Sequence, residues 1–202
     1  QEVLLMDYPT HQRRLLPRLA KTYAYHFALE DLAQRHIAAD EADHRKIETR
    51  AAGLKAMASW HATDTIQECR EALGGKGYLS ENRLAALKGD TDVFTTFEGD
   101  NHVLLQLVAK GLLTEYKQSF HDEGLMAVVR YLGSRIRTTA AEYNPVYRRN
   151  TSTDHLLDSD FHRHAFRYRE KKLLLTLAQR MQDYLRKRIH PHDAFLKCQS
   201  HM

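Results

Sequence analysis

The sequence predicts an all-α protein. Three observations lead there. Apolar residues recur at helical spacing along most of the 202 residues, no stretch alternates with the period of a strand, and glycine and proline are sparse, nine and four in all. Apolar residues make up 43% and charged residues 28%, ordinary for a globular chain of one or two domains that buries its own core. Mean hydropathy is −0.58. No apolar run approaches the roughly 18 residues of a membrane span, so membrane-spanning, collagen-like and disordered readings fall away.

Residues 10–38 read as one long helix, with Leu16, Leu19, Ala20, Tyr23 and Phe27 at helical spacing. Pro17 lies inside its first turns and predicts a kink or a late start. Residues 40–73 form a second helix whose buried stripe is Ile47, Leu54, Met57, Ala58 and Ile66, interrupted by Gly53. The run Leu73-Gly-Gly-Lys-Gly-Tyr78 ends it, because its glycines supply a C-cap and a tight turn. A short helix over 82–89 and an irregular Thr-rich stretch over 90–99 lead to Asp100. Asp100 is the expected N-cap of a helix over 101–118 with Leu104, Leu105, Val108 and Leu112 on its apolar face. Another helix over 122–141 ends before Asn144-Pro145, and 144–153 reads as a loop. Asp154 or Asp160 starts the last helix, striped by Leu174, Leu177, Ala178, Met181 and Leu185, and Pro191 stops it. The expected architecture is a helical bundle followed by a further helical region, with no internal repeat.

Charge is uneven. Residues 161–190 hold nine basic residues and two acidic ones, so this stretch is +7 in a chain of net charge +4. The ordinary reading is a solvated helix face whose long basic side chains lie over apolar neighbours; binding to nucleic acid or an anionic surface is the alternative. Cys69 and Cys198 form neither a disulfide framework nor a C-x-x-C zinc pair, which suits a reducing compartment. Cys69 is expected in the core. The thirteen histidines invite a metal site, but His162 and His164 diverge on a helix and His190-Pro-His192-Asp193 falls past the last one, so none is expected. The chain begins at Gln1 with no signal-peptide pattern, and it is expected to be a piece of a longer protein.

Two features stand apart from helix packing. Glu71-Ala-Leu-Gly74-Gly75-Lys-Gly77-Tyr78 offers backbone without Cβ atoms, to which a phosphate or another chain can come close. It lacks the spacing of a Walker loop and the preceding strand of a dinucleotide fingerprint. The second feature is Thr95-Thr-Phe-Glu98-Gly-Asp-Asn101, which sets a carboxylate between an aromatic ring and a helix N-terminus. The ring would desolvate the carboxylate and the helix end would stabilise its anion, a combination that suits a proton-abstracting base. The plainer reading makes Glu98 a helix cap.

Together these motifs resemble the acyl-CoA dehydrogenase and acyl-CoA oxidase superfamily. Glu71, three before the Gly-Gly pair, Glu81, three after Tyr78, and then Asp90 follow the family's second signature, and the distance from Asp90 to Glu98 fits its catalytic Glu-Gly. Asp7-Tyr-Pro-Thr-His-Gln-Arg-Arg-Leu-Leu-Pro17, Gly53-Leu-Lys-Ala-Met-Ala-Ser-Trp60, Thr96-Phe-Glu-Gly-Asp-Asn101 and Val103-Leu-Leu-Gln106 are similar to the oxidase branch. The resemblance covers residues 7–115. It implies a C-terminal bundle carrying the catalytic Glu over residues 1–119, and an additional oxidase-type helical domain over 120–202.

The implied reaction oxidises an acyl-CoA to the trans-2-enoyl-CoA in fatty acid β-oxidation. Glu98 would take the pro-R α-proton while the β-hydride goes to N5 of FAD, and oxygen would then accept the electrons; an electron-transfer flavoprotein is the alternative acceptor. The thioester carbonyl would be held by a flavin ribityl hydroxyl and by the backbone N–H of Glu98, with Gly99 beside the substrate. Glu71, Gly74, Gly75 and Gly77 would meet the FAD of a neighbouring subunit, and Asp100, Asn101 and Gln106 would approach the flavin, which implies a homodimer or higher oligomer. Asp92 and His102 depart from the family, standing where many dehydrogenases have Arg and oxidases have Thr. The family's amino-terminal helical domain and β-barrel have no counterpart in these residues, so the chain alone is expected neither to hold FAD tightly nor to turn over. A non-catalytic helical module is the other open reading. The expected location is a bacterial cytoplasm, or the peroxisome if the source is eukaryotic, although Ser200-His-Met202 is not a Ser-Lys-Leu ending.

Overall fold

The computed structural model describes residues 3–115 and 151–199. It divides into two compact units, residues 1–111 and 112–202. Every regular element among the described residues is helical, and no strand occurs there.

The first unit is organised around one helix. After a 3-10 turn at Leu5–Asp7, α1 runs Pro9–Ala38 and α2 runs His44–Ala72. Pro9 opens α1 at a position where the missing N–H is unused anyway. Pro17 does not delay the helix, which is continuous through it. The turn between the helices is held by Asp40, whose Oδ1 accepts from the N–H groups of Ala42 and Asp43 at 3.1 and 3.2 Å. The hairpin is antiparallel: Arg14 and Arg18 pair with Glu68 at one end, and Thr22 meets His61 further along. α3 (Leu84–Asp92) also runs antiparallel to α2, through Lys88 to Gln67 at 2.7 Å and Thr63 to Asp92 at 2.9 Å. The stretch expected to be irregular is thus helical to Asp92 and continues as a 3-10 turn over Val93–Thr95. α4 covers residues 101–115, and the described part matches the expected start at Asp100.

With partners on three sides, α2 buries a face that hydrophobicity alone does not mark. Its buried residues are Thr49, Ala52, Ala56, His61 and Thr63. Met57, assigned to the stripe, is exposed, and Ile47, Leu54, Ala58 and Ile66 are half-buried. The reason is close helix packing. A Cβ added at Gly111 would lie 2.4 Å from Thr49 Oγ1, and one at Gly53 would lie 3.4 Å from Val108. Small residues let α2 and α4 approach where larger ones would hold them apart. α1 shows the converse. Leu15, Tyr25 and Leu32 lie half-buried, whereas Leu16, Leu19, Tyr23 and Phe27 are exposed.

The second unit comprises α5 (Thr153–Leu157), α6 (Ser159–Arg186) and α7 (Pro191–Cys198) among its described residues. Asp158, not Asp154 or Asp160, caps α6, its carboxylate accepting from the N–H groups of Asp160 and Phe161. Pro191 is a second correction, because it starts α7 at N1 instead of only ending the helix before it. His190 caps that start through Nδ1, which accepts from His192 N–H at 3.3 Å. Ala194, Cys198 and Leu177 are buried. Cys198 is therefore the core cysteine, its thiol pushed up by burial, while Cys69 is only half-buried. The basic side chains of α6 are exposed, and Lys172 lies 5.7 Å over the Tyr168 ring. The expected helix over 122–141 and the Asn144-Pro145 turn lie outside the described residues.

Candidate functional site

Glu98 sits on a corner between two helices. The upstream side closes on itself. Phe97 N–H donates to the Val93 carbonyl at 2.8 Å, and the hydroxyls of Thr95 and Thr96 donate to the carbonyls of Asp92 and Val93. Asp92 takes the Thr63 hydroxyl, which fastens the end of α3 to α2. Phe94 and Phe97 meet edge to face, 6.2 Å between ring centres. Both rings are about half exposed, and so is the corner's apolar surface at Val93.

The backbone then enters the left-handed region twice in succession. Glu98 has φ +58° and Gly99 φ +115°. For a residue with a Cβ this costs about 1 kcal/mol, and such strain persists only where surrounding contacts over-determine it. The positive φ favours glycine at 99, and a Cβ there would also lie 3.1 Å from Leu104 Cδ2, which would have to shift by a few tenths of an ångström. The Glu98 side chain is exposed, so the desolvation expected from Phe97 is not provided by the described residues. Its N–H makes no hydrogen bond among the described residues.

The downstream side is fixed from α2. Asp100 caps α4 as expected, its Oδ1 accepting from His102 N–H at 2.9 Å and Val103 N–H at 3.3 Å. Asn101 is 1% exposed. Its Nδ2 donates to the Ala56 carbonyl at 3.2 Å and to Ser59 Oγ at 2.8 Å, and its Oδ1 accepts from Lys55 Nζ at 2.9 Å. These bonds occupy the amide within the chain, so the role this geometry gives Asn101 is to hold the corner on α2. Lys55 Nζ also donates to the Gly99 carbonyl at 2.6 Å. His102 packs edge-on against Trp60, 5.2 Å between ring centres. Gln106 is half-buried on α4.

The glycine turn behaves differently. Gly74–Tyr78 is a short 3-10 helix after α2. A Cβ at Gly77 would lie 1.9 Å from the Arg70 carbonyl oxygen, so glycine there is dictated by the chain's own packing. Gly74 has φ +58°. Gly75 has neither a positive φ nor any atom within 4 Å of an added Cβ. Nothing in the described fold explains its glycine. Beneath the turn the Arg70 guanidinium lies 4.4 Å over the Tyr78 ring, and its Nη1 is buried without a hydrogen-bond partner among the described residues. Glu71 points to α1. Gln67 Nε2 donates to it at 2.6 Å and Arg14 reaches it at 2.5 Å; that hydrogen bond first, then the Arg14 charge, hold its carboxyl below the usual range.

The described residues place the turn and the corner apart. The corner is anchored at Lys55, and the turn begins at Gly74, about 28 Å further along α2 at 1.5 Å per residue. A cleft of about 470 Å³ between α1 and α2, lined by Arg13, Arg18, Lys21, His61 and Asp64, includes neither. No three His, Cys, Asp or Glu residues come together as a metal site among the described residues. Sequence reasoning missed Lys55 and Ser59. The available signal was their i, i+4 spacing beside the small residues Ala52, Gly53 and Ala56, where a solvated lysine has little reason to lie.

Comparison with known proteins bears on this arrangement. The family described as "Acyl-CoA oxidase, C-alpha1 domain" matches residues 1–113. Acyl-coenzyme A oxidase 2, peroxisomal, from Arabidopsis thaliana is 40% identical over the whole chain, which spans 30% of that protein. Acyl-coenzyme A oxidase 3, peroxisomal, from the same plant is 53% identical over 57% of the chain and 17% of its own length. The crystal structure of acyl-CoA oxidase 1 from Yarrowia lipolytica superposes with a TM-score of 0.75 at 29% identity, covering 99% of this chain and 31% of that one.

Proposed function

Because this chain belongs to the acyl-CoA oxidase family, we propose that it is the C-terminal part of an FAD-dependent acyl-CoA oxidase whose general base is Glu98. In this reading residues 1–119 carry the base and residues 120–202 are the additional oxidase-type helical domain. The relatives' names, which include the word peroxisomal, favour that location over a bacterial cytoplasm.

One observation carries the catalytic reading. Glu98 is an exposed carboxylate on a strained backbone that the rest of the corner holds in place. A capping residue needs no such conformation, and the cap of α4 is supplied by Asp100. The carboxylate of Glu98 and its N–H, which makes no hydrogen bond among the described residues, belong to one residue. The N–H can donate to a thioester carbonyl, which acidifies the α-carbon, while the carboxylate accepts the α-proton. The exposed rings of Phe94 and Phe97 supply apolar surface beside that reaction, suited to an acyl chain and able to exclude water once covered.

The glycine turn fits a cofactor contact. Among the described residues nothing covers the bare backbone of Gly75, and Arg70 has a buried donor with no hydrogen-bond partner beneath the turn. Gly74, Gly75 and Arg70 would lie against the anionic part of FAD. The chemistry supplied by bound FAD is acceptance of the β-hydrogen as hydride and transfer of its two electrons to oxygen, giving hydrogen peroxide. The separation of the turn from the corner supports contacts with different parts of the cofactor, or with cofactors of two subunits in a homodimer.

The test uses the full-length protein in air with straight-chain acyl-CoA thioesters. The expected result is hydrogen peroxide formed one for one with trans-2-enoyl-CoA. Enoyl-CoA formation only in the presence of an electron-transfer flavoprotein would make it a dehydrogenase, and no product with any chain length would reject the reading.

A further inference from the structure

The Glu98–Gly99 conformation is one that the loop's own sequence does not secure. Gly99 has φ +115°, and a glycine there has many other conformations open to it. Upstream, Phe97 N–H closes on Val93 and the turn runs on to Glu98, and the α4 cap begins at Asp100. Among the described residues, the side chain that holds the Gly99 carbonyl is Lys55, whose Nζ donates to it at 2.6 Å. The same ammonium donates to Asn101 Oδ1 at 2.9 Å. Asn101 is buried and bound to the Ala56 carbonyl and Ser59 Oγ, so its amide is a rigid second point that keeps Nζ in place. Two of the three ammonium donors therefore converge on the corner from the middle of α2.

We propose that Lys55, braced by Asn101, is a positioning residue for proton abstraction: by holding the Gly99 carbonyl it fixes the direction in which Glu98 presents its carboxylate and N–H. The inference rests on reading Glu98 as the base. The packing of α2 on α3 and α4 has other supports, in Thr63 with Asp92 and in the close approach at Gly111, so loss of Lys55 releases the corner more than the bundle. An error of about 1 Å in the placement of a reacting group is enough to slow a reaction about 100-fold.

The experiment compares full-length wild type with Lys55→Met, Lys55→Gln, Lys55→Arg and Glu98→Gln. Each is mixed anaerobically with a straight-chain acyl-CoA that reduces the wild type, and flavin bleaching is followed. Bound flavin per chain and the affinity for trans-2-enoyl-CoA are measured alongside, because a merely structural role would move those. Lys55→Met keeps the stem and loses both hydrogen bonds. It is expected to bleach about 100-fold more slowly with flavin content and enoyl-CoA affinity unchanged. Lys55→Arg, which keeps charge and donors, is expected to recover to within about tenfold of wild type. Bleaching by Lys55→Met within about twofold of wild type overturns the proposal. So does a rate loss matched by loss of flavin or of folded protein in both Lys55→Met and the milder Lys55→Gln. If Glu98→Gln bleaches like wild type, the base assignment fails and the positioning role with it. If Glu98→Gln is inert and Lys55→Met is not slowed, the positioning role alone fails.

Discussion

The Gly74–Tyr78 turn and the Val93–Asn101 corner are both bends beside α2, and each contains glycine, yet they treat their surroundings in opposite ways. At the corner Asn101 is sunk into α2 and Lys55 reaches the Gly99 carbonyl, while Glu98 is left outside beside the exposed rings of Phe94 and Phe97. At the turn Gly77 is pressed against the Arg70 carbonyl, while Gly74 and Gly75 leave open backbone. A corner held this way presents one chemical group in one direction. A bare turn presents a surface for something else to rest on. On the proposed function, the difference separates a place for reaction from a place for contact, and it can be tested residue by residue.

The largest expected structural effect is at the turn's inner glycine. Gly77→Ala sets a Cβ 1.9 Å from backbone, and we expect a loss of about 3 kcal/mol or failure to fold, read by chemical denaturation. Next is Asn101→Ala, which strips partners from Lys55, the Ala56 carbonyl and Ser59; a loss of about 2 kcal/mol is expected by the same measurement, with enoyl-CoA production falling as well. Gly75→Ala sharpens the comparison most. Its Cβ meets nothing among the described residues, so stability should stay within about 0.5 kcal/mol, while retention of flavin on dilution should weaken. Unchanged flavin retention would remove the turn from the cofactor site.

The smallest effect concerns His61, away from both bends. It is buried between α1 and α2, with Tyr25 5.2 Å from it ring to ring. The Thr22 hydroxyl lies 3.0 Å from the Arg18 carbonyl, to which it donates, and 2.9 Å from His61 Nε2. Burial, then the charges of Lys21 and Arg18, push its pKa below the ordinary value, with a hydrogen bond to the Arg18 backbone and then Asp64 opposing. The unfolded chain therefore binds the proton first as pH falls. This contribution to stability is complete above about pH 6.5 and is lost progressively below it. The melting temperature should drop more steeply between about pH 6.5 and 5 in wild type than in His61→Gln; equal slopes would assign the acid sensitivity elsewhere.

Much of the fold was legible because its signals are local. The ends of α1 and α2, the Asp100 cap and the glycine stop after Ala72 each depend on a few adjacent residues. Pro191 was misread because proline both ends one helix and begins another, and only the neighbouring cap distinguishes the two. The buried face of α2 escaped because Thr49, Ala52 and Ala56 are small or polar, and a search for large apolar stripes passes over close packing. On α1 the same search favoured Leu16, Leu19, Tyr23 and Phe27, the face that the described residues leave exposed. Glu98 and the glycine turn were found through their resemblance to a known family. The bonds from Lys55 to Gly99 and Asn101 span more than forty residues of sequence and exist only once α2 and α4 are packed.

The most direct test of the account is the anaerobic bleaching of the full-length protein by α-deuterated and unlabelled acyl-CoA, in wild type and Glu98→Gln. The account predicts fast bleaching in wild type that slows on α-deuteration, and bleaching slower by about 1,000-fold in Glu98→Gln at equal flavin content. Equal bleaching in the two proteins would contradict it, and would leave the strained corner at Glu98 without a catalytic purpose.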